Sequence, residues 1–292
     1  MFQKNLTFAL HESESRLMTH VAEDYLSTRE VCREYAKQLM RTARSLQEYG
    51  LRTPSQLNPG VFAAWLRDLS GSSTTRKNYR RMAITLWKHA AKLGYVGQPS
   101  GELMKVKGSE KPPVAWSQKE LQILLDHCGR ERGTFKSGCP RSLFFRSFVL
   151  AGYELGIRRS DLHNMEAHQL RGNRVWVIQN KTNVPIGKVV TDECAESMQR
   201  MIRSGDGKTV WRWALSKRPL SVHFRRLVDS AGLSGSIKFL RRSGATACEL
   251  AQPGSATKFL GHLSPELAQK YYLDQTLLAD SVPRPPAISS RG

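Results

Sequence analysis

Apolar residues recur at helical spacing across residues 17–50, "LMTHVAEDYLSTREVCREYAKQLMRTARSLQEYG", and the stretch stops at a glycine, a common helix terminator. "TPSQLNPGVFAAWLRDLSG" reads as a short turn followed by another helix. "SSTTRKNYRRMAITLWKHAAKLGY" opens on hydroxyls suited to an N-cap and stays amphipathic as far as Gly94, which predicts a long helix. The periodicity then fails. Residues 97–116, "GQPSGELMKVKGSEKPPVAW", are rich in Gly, Pro, Ser and Lys and read as a connector.

A second pattern starts at "SQKE", residues 117–120, which has capping-box spacing and announces the helix "LQILLDHC". "RSLFFRSFVLAGYELG" is a strongly apolar helix ended by Gly156. "NRVWVIQNKTNVPIGKVV" carries the one clear β signal, β-branched and aromatic residues on both sides of "NKTN", and predicts a hairpin. Further helices are expected in "SVHFRRLVDSAG", "KFLRRSGATACELA" and "SPELAQKYYL". The expected fold is mainly α with a small antiparallel β-sheet or hairpin, in two domains. Its parts are an N-terminal extension over 1–16, a helical domain over 17–105, a linker over 106–116 and a mixed domain over 117–280. A Pro/Ser-rich disordered tail over 281–292 completes it.

Composition leaves the fold unchanged but narrows the partner. The 292 residues are 40% hydrophobic and 24% charged, ordinary for a chain with a sizeable core. The balance of charge is not ordinary: 45 Lys and Arg against 25 Asp and Glu give +20. Residues 1–110 hold 17 basic and 10 acidic residues and the remainder 28 and 15, so both expected domains are basic. Such an excess favours a polyanion, nucleic acid or an anionic membrane surface. No run approaches the ~18 apolar residues of a membrane span, and the first residues lack a cleavage-like site. Five scattered cysteines, never spaced as C-x-x-C, argue against a disulfide framework or zinc site and for a reducing, cytoplasmic setting. Nucleic acid is the partner that remains.

Within this basic chain several side chains stand at distinctive places. From Ser72 to Gly101 the only charges are Arg76, Lys77, Arg80, Arg81, Lys88 and Lys92, and the first four crowd the opening turns of the long helix, a candidate phosphate-contacting face. "ELGIRRSDL" puts Arg158 two residues after a helix-ending glycine, with Asp161 three further on. Lys181 falls at the hairpin tip, and "KFLRRS" sets Lys238 and Arg241 one helical turn apart. "LGH" offers His262, and Tyr271 follows nine residues later on a helix whose start is marked by Ser264, Pro265 and Glu266. Arg159 and Arg242 lie beside the arginines just named and read either as phosphate-backbone contacts or as surface charge.

From about residue 18 to 275 this order of motifs resembles the tyrosine recombinase (phage integrase) family. In that family a motif near T-G-x-R-x-x-E-L corresponds to "LGIRRSDL" here. A hairpin lysine corresponds to Lys181, H-x-L-R-H to "KFLRR", and L-G-H with a tyrosine nine residues on to "LGH" and Tyr271. No single motif is specific; four in order on a basic two-domain chain are. The spacing selects Tyr271 over its neighbour Tyr272, which keeps a core reading. One departure stands out, because Lys238 and Arg242 occupy positions where the family usually has histidine. The resemblance implies a two-domain clamp on double-stranded DNA and four protomers on paired sites, with monomers or dimers in free solution. It also implies a short helix after Tyr271, in "LDQTLLAD", that docks on a neighbour. It leaves open accessory DNA-bending proteins, the target site and the biological role, whether phage integration, mobile-element movement or chromosome resolution.

The chemistry can be reasoned from the residues themselves. Breaking a DNA phosphodiester requires charge stabilisation on a pentacoordinate phosphorus. Nucleases often supply it with metal held by clustered carboxylates, and no such cluster stands near these basic motifs. Guanidinium groups are the alternative, since they hold two oxygens in a planar fork and keep their charge near neutral pH. No metal or cofactor is therefore expected. Arg158 and Arg241 suit the clamp, Lys181 the acid that protonates the leaving 5′-oxygen (Lys188 is its nearest rival), and His262 a hydrogen bond to a non-bridging oxygen. Lys238 would assist the tyrosine's proton or the phosphate, and Asp161 would orient Arg158 from behind. Two other classes share the pattern: a type IB topoisomerase-like enzyme, and a non-catalytic DNA-binding regulator on the same fold.

Overall fold

The computed structural model describes residues 16–99, 103–108, 112–261 and 264–279. Most of the expected extension over 1–16, the tail over 281–292 and His262 lie outside the described residues. The chain divides into two compact units, Met1–Glu110 and Lys111–Gly292.

The α-helices among the first unit's described residues are α1 (Met18–Ser27), α2 (Arg33–Glu48), α3 (Pro59–Asp68) and α4 (Ser73–Lys92), and no strand is present among those residues. The single helical stretch expected over 17–50 is thus two helices, parted at residues 28–32, where Thr28 leaves helical geometry and Cys32 is extended. Asn58 and Ser72 cap α3 and α4 by accepting from the backbone N–H of Val61 and Thr75. Phe62, Trp65, Leu66, Met82, Leu86 and Trp87 fill the core between them. Buried His89 meets Asp24 at 2.8 Å.

The second unit places a small sheet among helices. Its order is α5 (Gln118–Arg130), α6 (Arg141–Leu155), α7 (Arg159–His163), β1 (Leu170–Arg171), β2 (Arg174–Ile178), β3 (Pro185–Val189) and α8 (Asp192–Arg203). It continues through α9 (Lys217–Ser230), α10 (Ile237–Ala251), α11 (Ser255–Leu260), α12 (Pro265–Tyr271) and α13 (Gln275–Leu278). The strands are antiparallel in the order β1-β2-β3, and Val175 pairs with Lys188 and Val177 with Ile186. Val175, Val177 and Ile186 face inward while Trp176, Ile178 and Val189 face solvent, the period of two expected of a sheet covered on one side.

Two features set α6 against α10, the helix that carries Lys238 and Arg241. Gly152 and Gly244 let them cross closely, since a Cβ at Gly244 would meet the Tyr153 carbonyl at 2.3 Å. Gly156 then ends α6 in the left-handed conformation (φ 55°), turning the chain sharply toward Arg158. A separate cluster of Ala245, Ala256, Leu260, Ala268, Leu273 and Leu278 anchors the C-terminal helices. The helix expected to dock on a neighbour, α13, packs on α10 of its own chain. Leu278 is buried there, and buried Asp274 accepts from the backbone N–H of Ala115 at 2.8 Å.

Candidate active site

The turn after α6, the start of α10 and the end of α12 meet around a cavity of about 480 Å³ lined by Ile157, Arg158, Lys238, Arg241, Phe224 and Tyr272 among others. Arg241 is the most enclosed of its cations, 4% exposed. Its Nη1 donates to the Gly156 carbonyl and its Nη2 to that of Leu260 at 3.1 Å, so it binds the end of α6 to the end of α11. Burial pulls its proton affinity down to about 10, with Arg158 adding to the fall and Tyr272 opposing it. It remains a cation at neutral pH.

Arg158 is half-buried at the N-terminus of α7, and its Nη1 donates to Oε1 of Gln179. Gln179 is fully buried, and its own amide donates to the Leu260 carbonyl at 3.0 Å. Asp161, expected to orient Arg158, has other partners among the described residues. It accepts from Asn180 at 3.0 Å and Ser160 at 3.3 Å, and so grips the hairpin, while Gln179 holds the guanidinium.

Lys181 is exposed at the tip of the β2–β3 hairpin. The tip is closed by the Asn183 and Thr182 N–H groups donating to the Gln179 carbonyl, with Asn183 at φ 53°. Lys238 lies on the rim of the cavity, exposed, its proton affinity lowered by partial desolvation and by Arg242. Lys188, the rival acid, stands elsewhere. Its ammonium donates to the Leu155 carbonyl, sits 3.3 Å from the Phe259 ring centre and lines a different cavity with Cys248 and Lys258.

The two tyrosines part company. Tyr271 is 45% exposed and lies outside the cavity lining, with the Lys270 ammonium 5.5 Å from its ring centre. Tyr272 lines the cavity, its ring 4.9 Å from the Arg241 guanidinium carbon.

The remaining basic residues divide by engagement. Arg242 donates to the carbonyls of Tyr271 and Val114, tying the end of α12 to the segment before α5. Arg159 is exposed and donates to Ser221. On α4, Lys77 and Arg81 are exposed and Arg76 is half-buried. Arg80 is turned to the Met104 and Leu103 carbonyls at 2.7 and 3.5 Å, a structural tie to the segment that follows the helix. Among the described residues no three His, Cys, Asp or Glu side chains form a group able to hold a metal ion, and no helix is long and apolar enough to cross a membrane.

Gln179, Asn180 and Tyr272 were not singled out by sequence reasoning as parts of this site. Gln179 had a signal. Val175, Val177 and Gln179 share the inward parity of β2, and a glutamine continuing an inward apolar row must find hydrogen-bond partners there.

No family model matches the sequence, and no curated protein matches it. Solved structures do. A lambda integrase tetramer bound to a Holliday junction superposes with a TM-score of 0.72 at 19% identity, covering 88% of this chain and 76% of that one. The XerH site-specific recombinase in its post-cleavage complex with a palindromic difH substrate gives 0.69 at 15% identity, covering 84% and 78%. The Tn1549 transposon integrase with circular intermediate DNA gives 0.67 at 14%, covering 92% and 100%. All three are tyrosine recombinases, and theirs is the fold of this chain.

Proposed function

We propose that the protein is a site-specific DNA recombinase that cuts and rejoins strands through a tyrosine. The observation that carries this reading is the convergence of Arg158, Arg241 and Lys238 on one cavity, beside the helix that bears Tyr271. A pocket lined by five basic side chains, Arg159 and Arg225 besides these three, in the second unit of a +20 chain suits a phosphodiester.

In the proposed reaction Arg158 and Arg241 hold the non-bridging oxygens as negative charge grows on them. Removing one such donor costs on the order of 10²–10³ in rate. The phenol oxygen of Tyr271 attacks phosphorus as its proton passes to a phosphate oxygen, with the Lys238 ammonium donating to that phosphate, and the bond from phosphorus to the 5′-oxygen breaks. Lys181 donates the proton that this oxygen takes. His262 donates a hydrogen bond to a non-bridging oxygen. The products are a 3′-phosphotyrosyl link and a free 5′-hydroxyl. Because the link retains a phosphoester bond, a 5′-hydroxyl from a second duplex can attack it in the reverse sense, with no ATP. Exposed Lys77, Arg81 and Arg159 would contact the DNA backbone. Exchange between two duplexes calls for paired sites and an assembly of four protomers, as in the lambda integrase complex on a Holliday junction.

One observation favours a second assignment within this reading. Tyr272, not Tyr271, lines the cavity and touches Arg241, whereas the nine-residue spacing from His262 favours Tyr271. A nicked duplex carrying the recognised site, incubated without magnesium and run on a denaturing gel, decides both questions. A slow-migrating covalent protein–DNA band that survives Tyr272→Phe and vanishes with Tyr271→Phe is the expected result. The opposite pattern transfers the role to Tyr272. Tight site-specific binding with no band from the unaltered protein refutes catalysis and leaves a DNA-binding regulator. Relaxation of plasmids lacking the site points to a topoisomerase.

A further inference from the structure

We infer that Gln179 is a positioning residue which locks the Arg158 clamp, the Lys181 hairpin and the chain leading into His262 into one unit. The lock rests on the reading above for its role in strand cleavage, although its geometry is independent of it. Each end of the side chain has a different task. Oε1 accepts from Arg158 Nη1 and from Thr182 Oγ1 at 3.1 Å, while Nε2 donates to the Leu260 carbonyl at 3.0 Å. The backbone of the same residue closes the hairpin tip, donating to Val184 at 3.0 Å and accepting from Asn183 at 2.8 Å.

The neighbours leave it no freedom. Gln179 is fully buried, and a Cβ added to Gly261 would stand 2.9 Å from its Nε2. Arg241 Nη2 donates to the same Leu260 carbonyl. That carbonyl is therefore shared by the two groups that reach the two arginines, Gln179 on one side and Arg241 itself on the other. Next to it, Asn180 reaches Asp161 across the same gap. A hairpin tip that is otherwise exposed is thereby pinned to the N-terminus of α7 by two adjacent amides. An amide suits this work, because one planar group must accept from a cation and donate to a carbonyl at once. A carboxylate would lose the donor, and an aliphatic chain would leave the half-buried Arg158 guanidinium without this acceptor and the Leu260 carbonyl with Arg241 alone.

The lock is tested with Gln179→Leu and the isosteric Gln179→Glu in the full-length chain, first by amide hydrogen exchange without DNA. Loss of the lock should speed exchange about tenfold or more at residues 157–162 and 180–183 while leaving α1 to α4 unchanged. Unchanged exchange at those segments overturns the inference whether or not the chain cuts DNA. The second readout is the rate of covalent adduct formation. It should fall about 10–100-fold in Gln179→Leu with DNA affinity held within about twofold, the scale seen when an outer partner of a reacting group is lost. Gln179→Glu should recover rate as pH falls and its carboxyl gains the donor proton, a profile that a filler of space would not give. On a substrate whose scissile phosphate carries a methyl group in place of one charged oxygen, the Gln179→Leu deficit should shrink, because Arg158 then has less charge to meet. An equal deficit on both substrates would show that Gln179 does not act through the arginine. If the unaltered protein forms no adduct, the proposed function falls, while the exchange measurement still decides the lock.

Discussion

The guanidinium carbon of Arg241 stands 4.9 Å from the centre of the Tyr272 ring, on a residue that is only 4% exposed. A buried cation is costly unless partners surround it. Here two carbonyls take its N–H groups and an aromatic face and hydroxyl take another side. A ring over a desolvated cation contributes about 1–2 kcal/mol. Tyr272→Phe keeps the ring and removes the hydroxyl, which should cost about 1 kcal/mol. Tyr272→Leu removes both and should cost about 2–3 kcal/mol. Urea unfolding of the two variants measures the difference, and equal stability would show that the ring face does no more than fill space.

Lys188 carries a prediction about pH. Burial under the Phe259 ring pulls its proton affinity down to about 7, Arg241 pushes the same way, and Cys248 opposes them. Glu154 and Lys258 line the same cavity. Above pH 7 the folded chain gives up this proton while the unfolded chain keeps it up to its ordinary value near 10.5. The unfolded state then binds more protons, so stability must rise with pH. The slope from this one group approaches about 1.4 kcal/mol per pH unit. Below pH 7 both states are protonated and the contribution is flat. Buried Cys128, Cys139 and Cys194 have raised affinities and act in the opposite sense only where unfolded thiols ionise, near 9. Unfolding free energies of the wild type and Lys188→Met between pH 7 and 8.5 should therefore diverge in slope, the variant being flatter by about 1 kcal/mol per unit. Parallel curves would mean that Lys188 stays protonated.

Much of this architecture was legible because local signals and tertiary demands agreed. Ser117 and Glu120 form the capping box that their spacing announced, with the Glu120 carboxylate accepting from both the Ser117 N–H and hydroxyl. Gly156 ends its helix in the left-handed region, and the β-branched runs flank the hairpin as expected. The break between α1 and α2 was illegible because "STREVC" holds no Gly or Pro, and the packing of two amphipathic faces sets it instead. The engagement of Arg80 was illegible for a related reason. A charge run says nothing of which guanidinium bends back to a carbonyl, here that of Met104, 24 residues away. In the site, Arg158, Arg241 and Lys238 of the motifs line one cavity, and Tyr271 lies outside its lining. It could not foretell that the Arg158 partner is an amide on the next hairpin, since that contact joins residues 21 apart through the sheet register.

Gly156→Ala should damage the second unit more than an ordinary surface change. The residue sits at φ 55°, where a side chain is strained, and an added Cβ would stand 2.2 Å from Cε1 of Phe259. The Lys188 ammonium lies 3.3 Å from the ring centre and Gly244 packs against its edge, so the ring cannot yield freely. Strain and overpacking together should cost about 2–4 kcal/mol. The Gly156 carbonyl also accepts from Arg241, so the loss should be accompanied by faster hydrogen exchange at Leu260 and Gly261. Gly172→Ala, at a similar φ of 60° with open space around it, is the control that isolates the conformational part. It should cost about 1 kcal/mol. Equal losses at the two positions would mean that the Phe259 contact relaxes without penalty.

In the basic turns of α4 proposed DNA contacts stand beside a structural tie, and salt dependence tells them apart. Lys77 and Arg81 are exposed, while Arg80 spends its guanidinium on Met104 and Leu103. Each phosphate neutralised by a side chain releases condensed counterion, so losing one such contact lowers the slope of log affinity against log salt by about one. Lys77→Ala and Arg81→Ala should each weaken binding to duplex DNA of any sequence and flatten that slope by roughly one, with thermal stability unchanged. Arg80→Ala should do the reverse, leaving the slope near its original value while lowering the unfolding temperature of the first unit. Fluorescence anisotropy titrations at several salt concentrations, paired with thermal melts, give both quantities. If Arg80→Ala also flattened the slope, the Met104 carbonyl would have to release the guanidinium to phosphate on binding, and the tie seen here would belong only to the protein without DNA.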